Sequence, residues 1–187
     1  IDGYNEEIVY LFDFICVSEA ELVVYDTDSS RAVRKRETNA GDFVADAYRS
    51  VTGADVAIAN GGGIRAEIEV GNVTRKMLMD VNAFNNDMCV LEVTGQQLID
   101  VLEHGARKCP ESSGSFFQVS GVTFELHTYL ETPVVTDQLD NFIEIDETKE
   151  RRVQNVLIDG KTVDLDEKYT LAGSAYVLLQ GGDGLTM

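Results

Sequence analysis

Three consecutive glycines after a short apolar run constrain the fold of this chain more than any other stretch. The run Asp55-Val56-Ala57-Ile58-Ala59 predicts a buried strand that leads directly into Asn60-Gly61-Gly62-Gly63-Ile64-Arg65. Glycines cost conformational entropy and pack nothing, so they indicate a backbone that needs positive φ angles or is approached closely by a ligand or another strand. Asn60 and Arg65 offer an amide and a rigid fork of donors around that backbone. The hexapeptide is also consistent with an ordinary turn that carries a surface arginine.

The length and the net charge limit the classes of function. A chain of 187 residues is long enough for one domain with a sizeable core. Its formal charge of −18 argues against a nucleic-acid polymer as the partner, because phosphate backbones are bound through clustered Lys and Arg. A small phosphorylated ligand stays compatible with this charge, since a pocket can hold a few arginines within an acidic surface.

The cysteines, the histidines and the apolar runs give no sign of a metal site or a membrane span. Cys16, Cys89 and Cys109 are an odd number without close spacing, which favours buried thiols over a disulfide framework or a zinc motif. His104 and His127 lie far apart without a cysteine or carboxylate at ligand spacing, so both are predicted to be solvated or structurally satisfied. No apolar stretch approaches the length of a membrane span, and no signal peptide is visible. The lack of a starting Met indicates a fragment.

Periodicity and capping residues predict strands that alternate with helices early in the chain and dominate later. Predicted helices cover Tyr4 to Ile15, Gly41 to about Val51 with Thr38 or Asn39 as N-cap, Thr74 to Val81, and Gln96 to Lys108. Predicted strands cover Glu21 to Tyr25, Met88 to Val93, two pieces within Phe116 to Thr128, a hairpin from Val153 to Leu165, and Tyr169 to Ala172. The polar, acidic segment from Leu130 to Arg151 predicts a long excursion or a hairpin. This order predicts an α/β domain with mixed α+β layers.

Three further stretches contain candidate binding residues, and each also has a purely structural interpretation. In Arg34-Lys35-Arg36 an extended backbone would place both arginines on one face, where they could converge on one anion, although charge runs are usually solvated. Phe84 lies in a polar loop, where an aromatic either fills the core or stacks on a flat ligand. The turn Gly181-Gly182-Asp183-Gly184 offers a carboxylate, but such turns are more often structural.

Taken together, four motifs resemble the C-terminal domain of the 5′-nucleotidase family, which includes UDP-sugar hydrolases and 2′,3′-cyclic nucleotide phosphodiesterases. The motifs are Arg34-x-Arg36-Glu37-Thr38-Asn39-x-Gly41, the Asn60–Arg65 hexapeptide, the Phe84 loop and the Gly181–Gly184 turn. Their order and spacing match from about Ala20 to the end of the chain. The resemblance implies the fold of that domain for residues 20–187, and the end of an interdomain connecting helix and a linker for residues 1–19.

The resemblance also implies roles for individual residues. Arg34 and Arg65 would face the phosphate or ribose region of the substrate, and Asn60 would bond the base or position the loop. Phe84 would stack on the nucleobase, which is worth about 1 to 3 kcal/mol per base. Asp183 would accept hydrogen bonds from the ribose hydroxyls. The substrate-binding residues implied in this way are Arg34, Asn60, Gly62, Arg65, Phe84, Val177 and Asp183.

Three positions depart from the family pattern. Where the family typically has a second aromatic, four residues before the last glycine turn, this chain has Val177 with Tyr176 beside it. Ala83 stands where the family usually has Pro, and Leu185 replaces an aromatic after the last glycine. A valine is expected to cover one face of the base while stacking less well, which weakens any assignment of adenine or uridine specificity.

What the resemblance implies about activity is a division of labour between two domains. An N-terminal metallophosphoesterase domain of the same polypeptide would hold two divalent metal ions and activate the attacking water. This chain would bind the nucleoside part of a nucleotide, contribute no catalytic residue, no metal ligand and no cofactor, and be inactive alone. The family resemblance suggests an extracellular, cell-surface or periplasmic protein. The alternatives are a non-catalytic ligand-binding or interaction module with the same fold, and a relative acting on a different, sulfur-containing ester.

Overall fold

The computed structural model describes residues 8–186, in which helices and strands are distributed along the whole chain. The helices are α1 (Asn39–Thr52), α2 (Arg75–Val81), α3 (Gly95–Ala106) and α4 (Ala175–Leu178). The strands are β1 (Phe14–Ser18), β2 (Val56–Asn60), β3 (Gly71–Thr74), β4 (Met88–Thr94), β5 (Phe117–Ser120), β6 (Val122–Leu126), β7 (Val134–Thr136), β8 (Phe142–Ile145), β9 (Val153–Ile158), β10 (Lys161–Thr162) and β11 (Lys168–Ser174). Single 3-10 turns cover Tyr10–Phe12, Ala32–Arg34 and Gly182–Gly184.

The central sheet has four strands in the order β4-β11-β2-β5. Strands β11 and β2 run parallel, with Leu171 opposite Val56, while β4 and β5 add to the two sides in antiparallel orientation. A second sheet has the order β10-β9-β6, and two smaller ladders pair β1 with β3 and β7 with β8. The parallel pair of β2 and β11 brings two chain segments together, because the carboxyl ends of parallel strands meet at one edge of a sheet.

Strand β2 is buried on both faces, and large and small side chains alternate along it. Val56 and Ile58 pack in one cluster with Leu98 and Leu102 of α3 and with Leu171 of β11. Alternate residues of a strand point to opposite faces, so the small alanines between them face the other side.

On that other side, helix α1 covers the sheet. Ala59 packs with Val44 and Ala45 of this helix, and Ala57 contacts Tyr48. The small alanine side chains let the helix approach the sheet closely. Helix α1 therefore lies on one face and α3 on the other, which confirms the predicted α/β layers.

Three helices begin at the threonines that cap them. The side-chain oxygens of Thr38, Thr74 and Thr94 accept hydrogen bonds from backbone N–H groups in the first turns of α1, α2 and α3. At α3, Gln97 bonds back to the backbone of Thr94 and completes a capping box. These contacts confirm the predicted starts of the helices, because a cap is a local device that sequence alone can reveal.

The N-terminal segment differs from the prediction. Residues 4–7 of the predicted helix lie outside the described residues, and Ile8 and Val9 are helical as predicted. Tyr10–Phe12 is a 3-10 turn, however, and Phe14–Ser18 is strand β1, paired with β3. The predicted strand Glu21 to Tyr25 is reduced to a bridge between Leu22 and Ile68. The next backbone N–H groups bond instead to the side chains of Asn39 and Glu67, which replace a neighbouring strand.

The cysteines correct a second prediction. Cys109 is buried, Cys89 is half-buried, but Cys16 on β1 is exposed rather than buried. Within residues 8–186, no helix is both long and apolar enough to cross a membrane.

Candidate functional site

The first glycine turn and the last one meet at the carboxyl edge of the parallel pair. Strand β2 ends at Asn60, and β11 ends at Ser174 and continues through α4 into the turn Gly181–Gly184. Because β2 and β11 are parallel, both turns leave the sheet at the same edge. There Asn60 Nδ2 donates a hydrogen bond to Asp183 Oδ2 at 2.7 Å, across 123 residues of sequence.

Close approach of another backbone explains the first of the three glycines. A Cβ atom on Gly61 would lie 2.2 Å from the carbonyl oxygen of Val33, a distance that no side chain tolerates. The positive φ angles of the described residues fall elsewhere, so of the two predicted reasons for these glycines, close approach applies. The crowding segment is the one that leads into Arg34. Gly62 N–H in turn donates to the carbonyl of Gly114 at 2.9 Å.

A cleft of about 340 Å³ opens between these turns, and we call it the glycine-turn cleft. Its lining combines cationic, aromatic and amide side chains with bare backbone, as in sites that bind small polar ligands. Of the predicted substrate-binding residues, the cleft brings together six. The lining consists of Arg34, Asn60, Gly62, Gly63, Arg65, Phe84, Asn86, Gly114, Tyr176 and Asp183.

Arginines concentrate positive charge at this cleft in an otherwise acidic chain. Arg31 Nη2 donates to the carbonyls of Gly61, at 3.2 Å, and Ile64, so this guanidinium braces the glycine turn from behind. Burial, and then the charges of Arg34 and Arg65, lower the pKa of Arg31. Among residues 8–186, the buried Nε atoms of Arg31 and Arg34 have no hydrogen-bond partner. Buried charged donors without partners are costly, and an anionic ligand would satisfy them.

The segment that carries Arg34 is fixed by a buried glutamine. Gln118 of β5 donates to the carbonyls of Val33, at 3.0 Å, and Arg36, at 2.8 Å, and accepts from the N–H of Thr38 at 3.0 Å. Three bonds from one fully buried side chain hold both ends of this segment against the sheet.

Of the two interpretations of Arg34-Lys35-Arg36, convergence of both arginines on one anion does not apply. Residues Ala32–Arg34 form a 3-10 turn rather than an extended strand, so the two arginines do not share a face. Arg34 lines the glycine-turn cleft, whereas Arg36 Nη2 pairs with Asp26 Oδ1 at 2.6 Å on the surface.

Phe84 and Tyr176 supply the aromatic surface of the cleft. Phe84 is 57% exposed, and the guanidinium of Arg65 lies over its ring, 5.7 Å from the centroid. A half-exposed ring is available for stacking on a flat ligand, which favours the binding interpretation of this residue over a core plug.

The structure places Val177 differently from the prediction. This side chain is 2% exposed and packs in the core with Leu98 and Leu171, so it does not line the cleft. Its neighbour Tyr176 does. Successive residues of a helix are about 100° apart, so only one of the two can face the cleft from α4.

Burial and nearby positive charge have opposite effects on the pKa of the Asp183 carboxyl group. Burial raises the pKa of Asp183, and the hydrogen bond from Asn60 and the charges of Arg107 and Arg34 oppose that rise. Within the described residues, its Oδ2 is bonded to Asn60 while Oδ1 accepts no hydrogen bond. The free oxygen can accept a hydrogen bond from a ligand hydroxyl.

Sequence reasoning missed four residues of the site: Arg31, Asn86, Gly114 and Tyr176. Arg31 stands three residues before Arg34, a spacing that a turn of helix would have placed on one side. Gly114 and Asn86 reach the cleft through loops whose position depends on distant contacts, and no local pattern marks them.

Within residues 8–186, no group of three or more His, Cys, Asp or Glu side chains is arranged to hold a metal ion. The cleft itself offers hydrogen-bond donors, hydrogen-bond acceptors and an aromatic surface, which are suited to binding a ligand.

Comparison with known proteins agrees with this architecture. The family model described as the 5′-nucleotidase C-terminal domain matches residues 17–187. The chain belongs to the 5′-nucleotidase family. It is 32% identical over 161 residues to the trifunctional nucleotide phosphoesterase protein YfkN of Bacillus subtilis, and 32% identical over 152 residues to a 5′-nucleotidase of Vibrio parahaemolyticus. A 5′-nucleotidase precursor from Thermus thermophilus has a similar structure, with a TM-score of 0.77 and 26% identity.

The relatives are much longer than this chain. The three comparisons cover 83%, 81% and 97% of the chain, but only 10%, 23% and 33% of the respective relatives. The chain thus corresponds to one part of each of these members of the 5′-nucleotidase family, and the predicted family and fold are confirmed.

Proposed function

We propose that the glycine-turn cleft binds the nucleoside part of a nucleotide, in a metal-dependent phosphoester hydrolase of the 5′-nucleotidase type. The observation that supports this proposal most strongly is that one cleft combines two arginines, of which Arg34 has a partnerless donor, with the half-exposed ring of Phe84. A phosphate or a phosphorylated ribose matches the arginines, and a nucleobase matches the ring. An acidic chain that concentrates arginines at one cleft selects small anions there rather than a nucleic-acid polymer.

Each side chain of the cleft has a role that its chemistry suits. Arg34 and Arg65 each offer a planar fork of donors to the phosphate or ribose region. Phe84 stacks on the base, with Tyr176 closing the cleft beside it. The free Oδ1 of Asp183 accepts hydrogen bonds from ribose hydroxyls, while Asn60 holds the other oxygen of this carboxylate in place.

Hydrolysis would require groups that the described residues do not supply. In the proposed enzyme a separate metallophosphoesterase domain holds two divalent ions, which polarise the phosphoryl group and lower the pKa of the attacking water. The chain studied here binds and orients the substrate, and we expect it to release no phosphate from AMP by itself. The proposed setting is outside the cytoplasm, at the cell surface, in the periplasm or in the medium.

The proposal is tested by calorimetric titration of this chain with adenosine and AMP. We expect saturable binding of both, with AMP tighter because the arginines make charge-assisted bonds to its phosphate. Phe84→Ala should weaken the binding of both ligands by about 1 to 3 kcal/mol, since it removes the stacking surface.

Tyr129→Ala is the matched control, because this aromatic is 80% exposed and lies outside the cleft. It should leave both affinities unchanged. Absence of binding by a folded wild-type chain, or equal losses in the Phe84 and Tyr129 variants, would contradict the proposal.

A further inference from the structure

The turn that presents Asp183 to the cleft has an unfavourable backbone. Asp183 has φ 54° and ψ 21°, in the left-handed region that side-chain-bearing residues rarely adopt. Such a conformation costs on the order of 1 kcal/mol and persists only where surrounding contacts determine it. The contacts that hold this residue therefore decide where its carboxylate points.

Two side chains of α3 hold the backbone of Asp183 from behind. His104 Nε2 lies 3.0 Å from the carbonyl oxygen of Asp183, and Arg107 Nη2 donates to the same oxygen at 3.1 Å. The two residues are three apart in sequence, so they lie on the same side of the helix end. The carbonyl is thus fixed by two donors that come from one rigid element.

Arg107 connects the Asp183 turn to two other loops. Its side chain is 4% exposed, and its Nη1 donates to Ser115 Oγ at 2.9 Å, beside the glycine that lines the cleft. The Nη2 that reaches Asp183 also donates to Asp140 Oδ2 at 2.7 Å. A planar guanidinium can donate to these three separate acceptors at once, whereas a single ammonium group cannot.

Asp140 connects the acidic segment between β6 and β9 to Arg107 and to the turn that carries Asp183. It lies at the tip of the β7–β8 hairpin, and a Cβ on Gly184 would be 2.1 Å from the carbonyl oxygen of Asp140. The hairpin tip therefore packs directly against the Asp183 turn. Lys108 also contacts Asp140 Oδ2, at 2.6 Å, but its side chain is half-exposed and, within residues 8–186, forms no hydrogen bond or ion pair with Asp183.

We propose that Arg107, anchored by Asp140, is a positioning residue that aims the Asp183 carboxylate at the ribose hydroxyls and so sets the preference for ribonucleosides over dideoxynucleosides. This inference rests on the proposed function of the cleft. It goes further by making ribose recognition depend on a buried side chain and a distant hairpin. Arg107 touches no ligand and acts through the orientation of Asp183.

The test compares the dissociation constants of adenosine and 2′,3′-dideoxyadenosine, measured by calorimetry. The wild-type chain should bind adenosine about tenfold more tightly or better, as expected for hydrogen bonds from hydroxyls to a carboxylate. Asp183→Asn should remove most of that preference. Arg107→Lys and Asp140→Asn should reduce the preference several-fold while the dideoxyadenosine affinity stays near that of the wild type.

Lys108→Gln is the matched control, because it removes the exposed partner of Asp140 and should keep the full preference. Asp140→Asn guards against misfolding of the Arg107 variant, because its side chain is 39% exposed and the amide keeps an acceptor oxygen. The inference is overturned if both variants keep the wild-type preference, or lose affinity for both nucleosides equally, while Asp183→Asn still removes the preference. If the wild-type chain binds neither nucleoside, the proposed function itself fails, and the inference fails with it.

Discussion

The arginines of the glycine-turn cleft and the arginine behind α3 have the same side chain in opposite surroundings. Beside the cleft, Arg31 and Arg34 are partly buried residues whose Nε atoms find no hydrogen-bond partner among residues 8–186. Arg152 is more deeply buried, at 3% exposed, yet all three of its guanidinium nitrogens donate to backbone carbonyls. The deeper guanidinium is therefore the fully satisfied one, and among these three arginines unsatisfied donors occur only where the cleft is near.

The acceptors of Arg152 explain why it belongs to the fold. Its Nη1 donates to the carbonyls of Ala106 and Arg107, at 3.2 and 3.1 Å, where α3 ends and leaves carbonyls without helical partners. Positive charge at the carboxyl end of a helix is also favourable for the helix dipole. The side chain thus caps α3 and ties it to the segment before β9.

The largest expected effect is the loss of stability in Arg152→Met. Removing this guanidinium leaves several buried carbonyls unsatisfied and takes one of two nearby cations from the buried carboxylate of Glu103, which should cost about 3 to 5 kcal/mol. Urea unfolding measures the change. Arg36→Met removes an arginine that is 55% exposed and should cost no more than about 1 kcal/mol. Similar losses in both variants would remove the distinction between the two surroundings.

A pH dependence of nearly the same size is expected from the histidine behind Asp183. Burial, and then the charge of Arg107, lowers the pKa of His104 from 6.5 to about 4. Between these values the unfolded chain binds a proton that the folded chain does not, so stability falls as the pH falls, by up to about 3 kcal/mol. His104→Gln keeps a donor for the Asp183 carbonyl and should flatten this dependence.

The measurement is urea unfolding of the wild type and the variant near pH 7 and near about pH 4.5, where the linkage relation predicts the difference. An equally steep loss of stability in both proteins would show that His104 is not the group responsible.

The smallest effect on the fold, but a large one on binding, is expected at the cleft. Arg34→Gln and Arg65→Gln should each weaken the binding of AMP by about 1.5 to 3 kcal/mol, because each removes a charge-assisted contact. Adenosine, which lacks the phosphate, should be affected less. The unfolding free energy should stay level or rise slightly, since a like charge is removed from a cationic cluster. A fall in stability comparable to that of Arg152→Met would show that Arg34 and Arg65 stabilise the fold, as Arg152 does, and would contradict this prediction.

The sequence could predict the features that depend on neighbouring residues, but not those that depend on contacts between distant segments. The strand into the glycine turn, the threonine caps and the α/β layers follow from residues next to each other in the chain. The neighbours of Phe14–Ser18 and of Leu22 do not, because a strand's partner is chosen by distant sequence. Phe14 therefore pairs with Thr74 of β3, and Ile15 stands at an irregularity of that ladder, rather than continuing a helix.

The site shows the same limit at single residues. Asn60, Arg65 and Asp183 stand in glycine turns that a reader of the sequence can find. Which of Tyr176 and Val177 faces the cleft depends on how the four residues of α4 are rotated against the core, and no local pattern encodes that rotation. The buried donors of Arg107 and Arg152 likewise depend on loops far away in sequence.

The most direct test of the account is a nitrogen-15 NMR titration of the chain with AMP, in which the Nε–H signals of the arginines are followed. Arg→Lys variants assign the signals. We expect saturable shifts for Arg34 and Arg65, which line the cleft, and an unchanged signal for Arg152, whose donors are already satisfied. Binding of AMP that leaves the Arg34 and Arg65 signals in place, or that shifts the signal of Arg152 to the same extent, would contradict it.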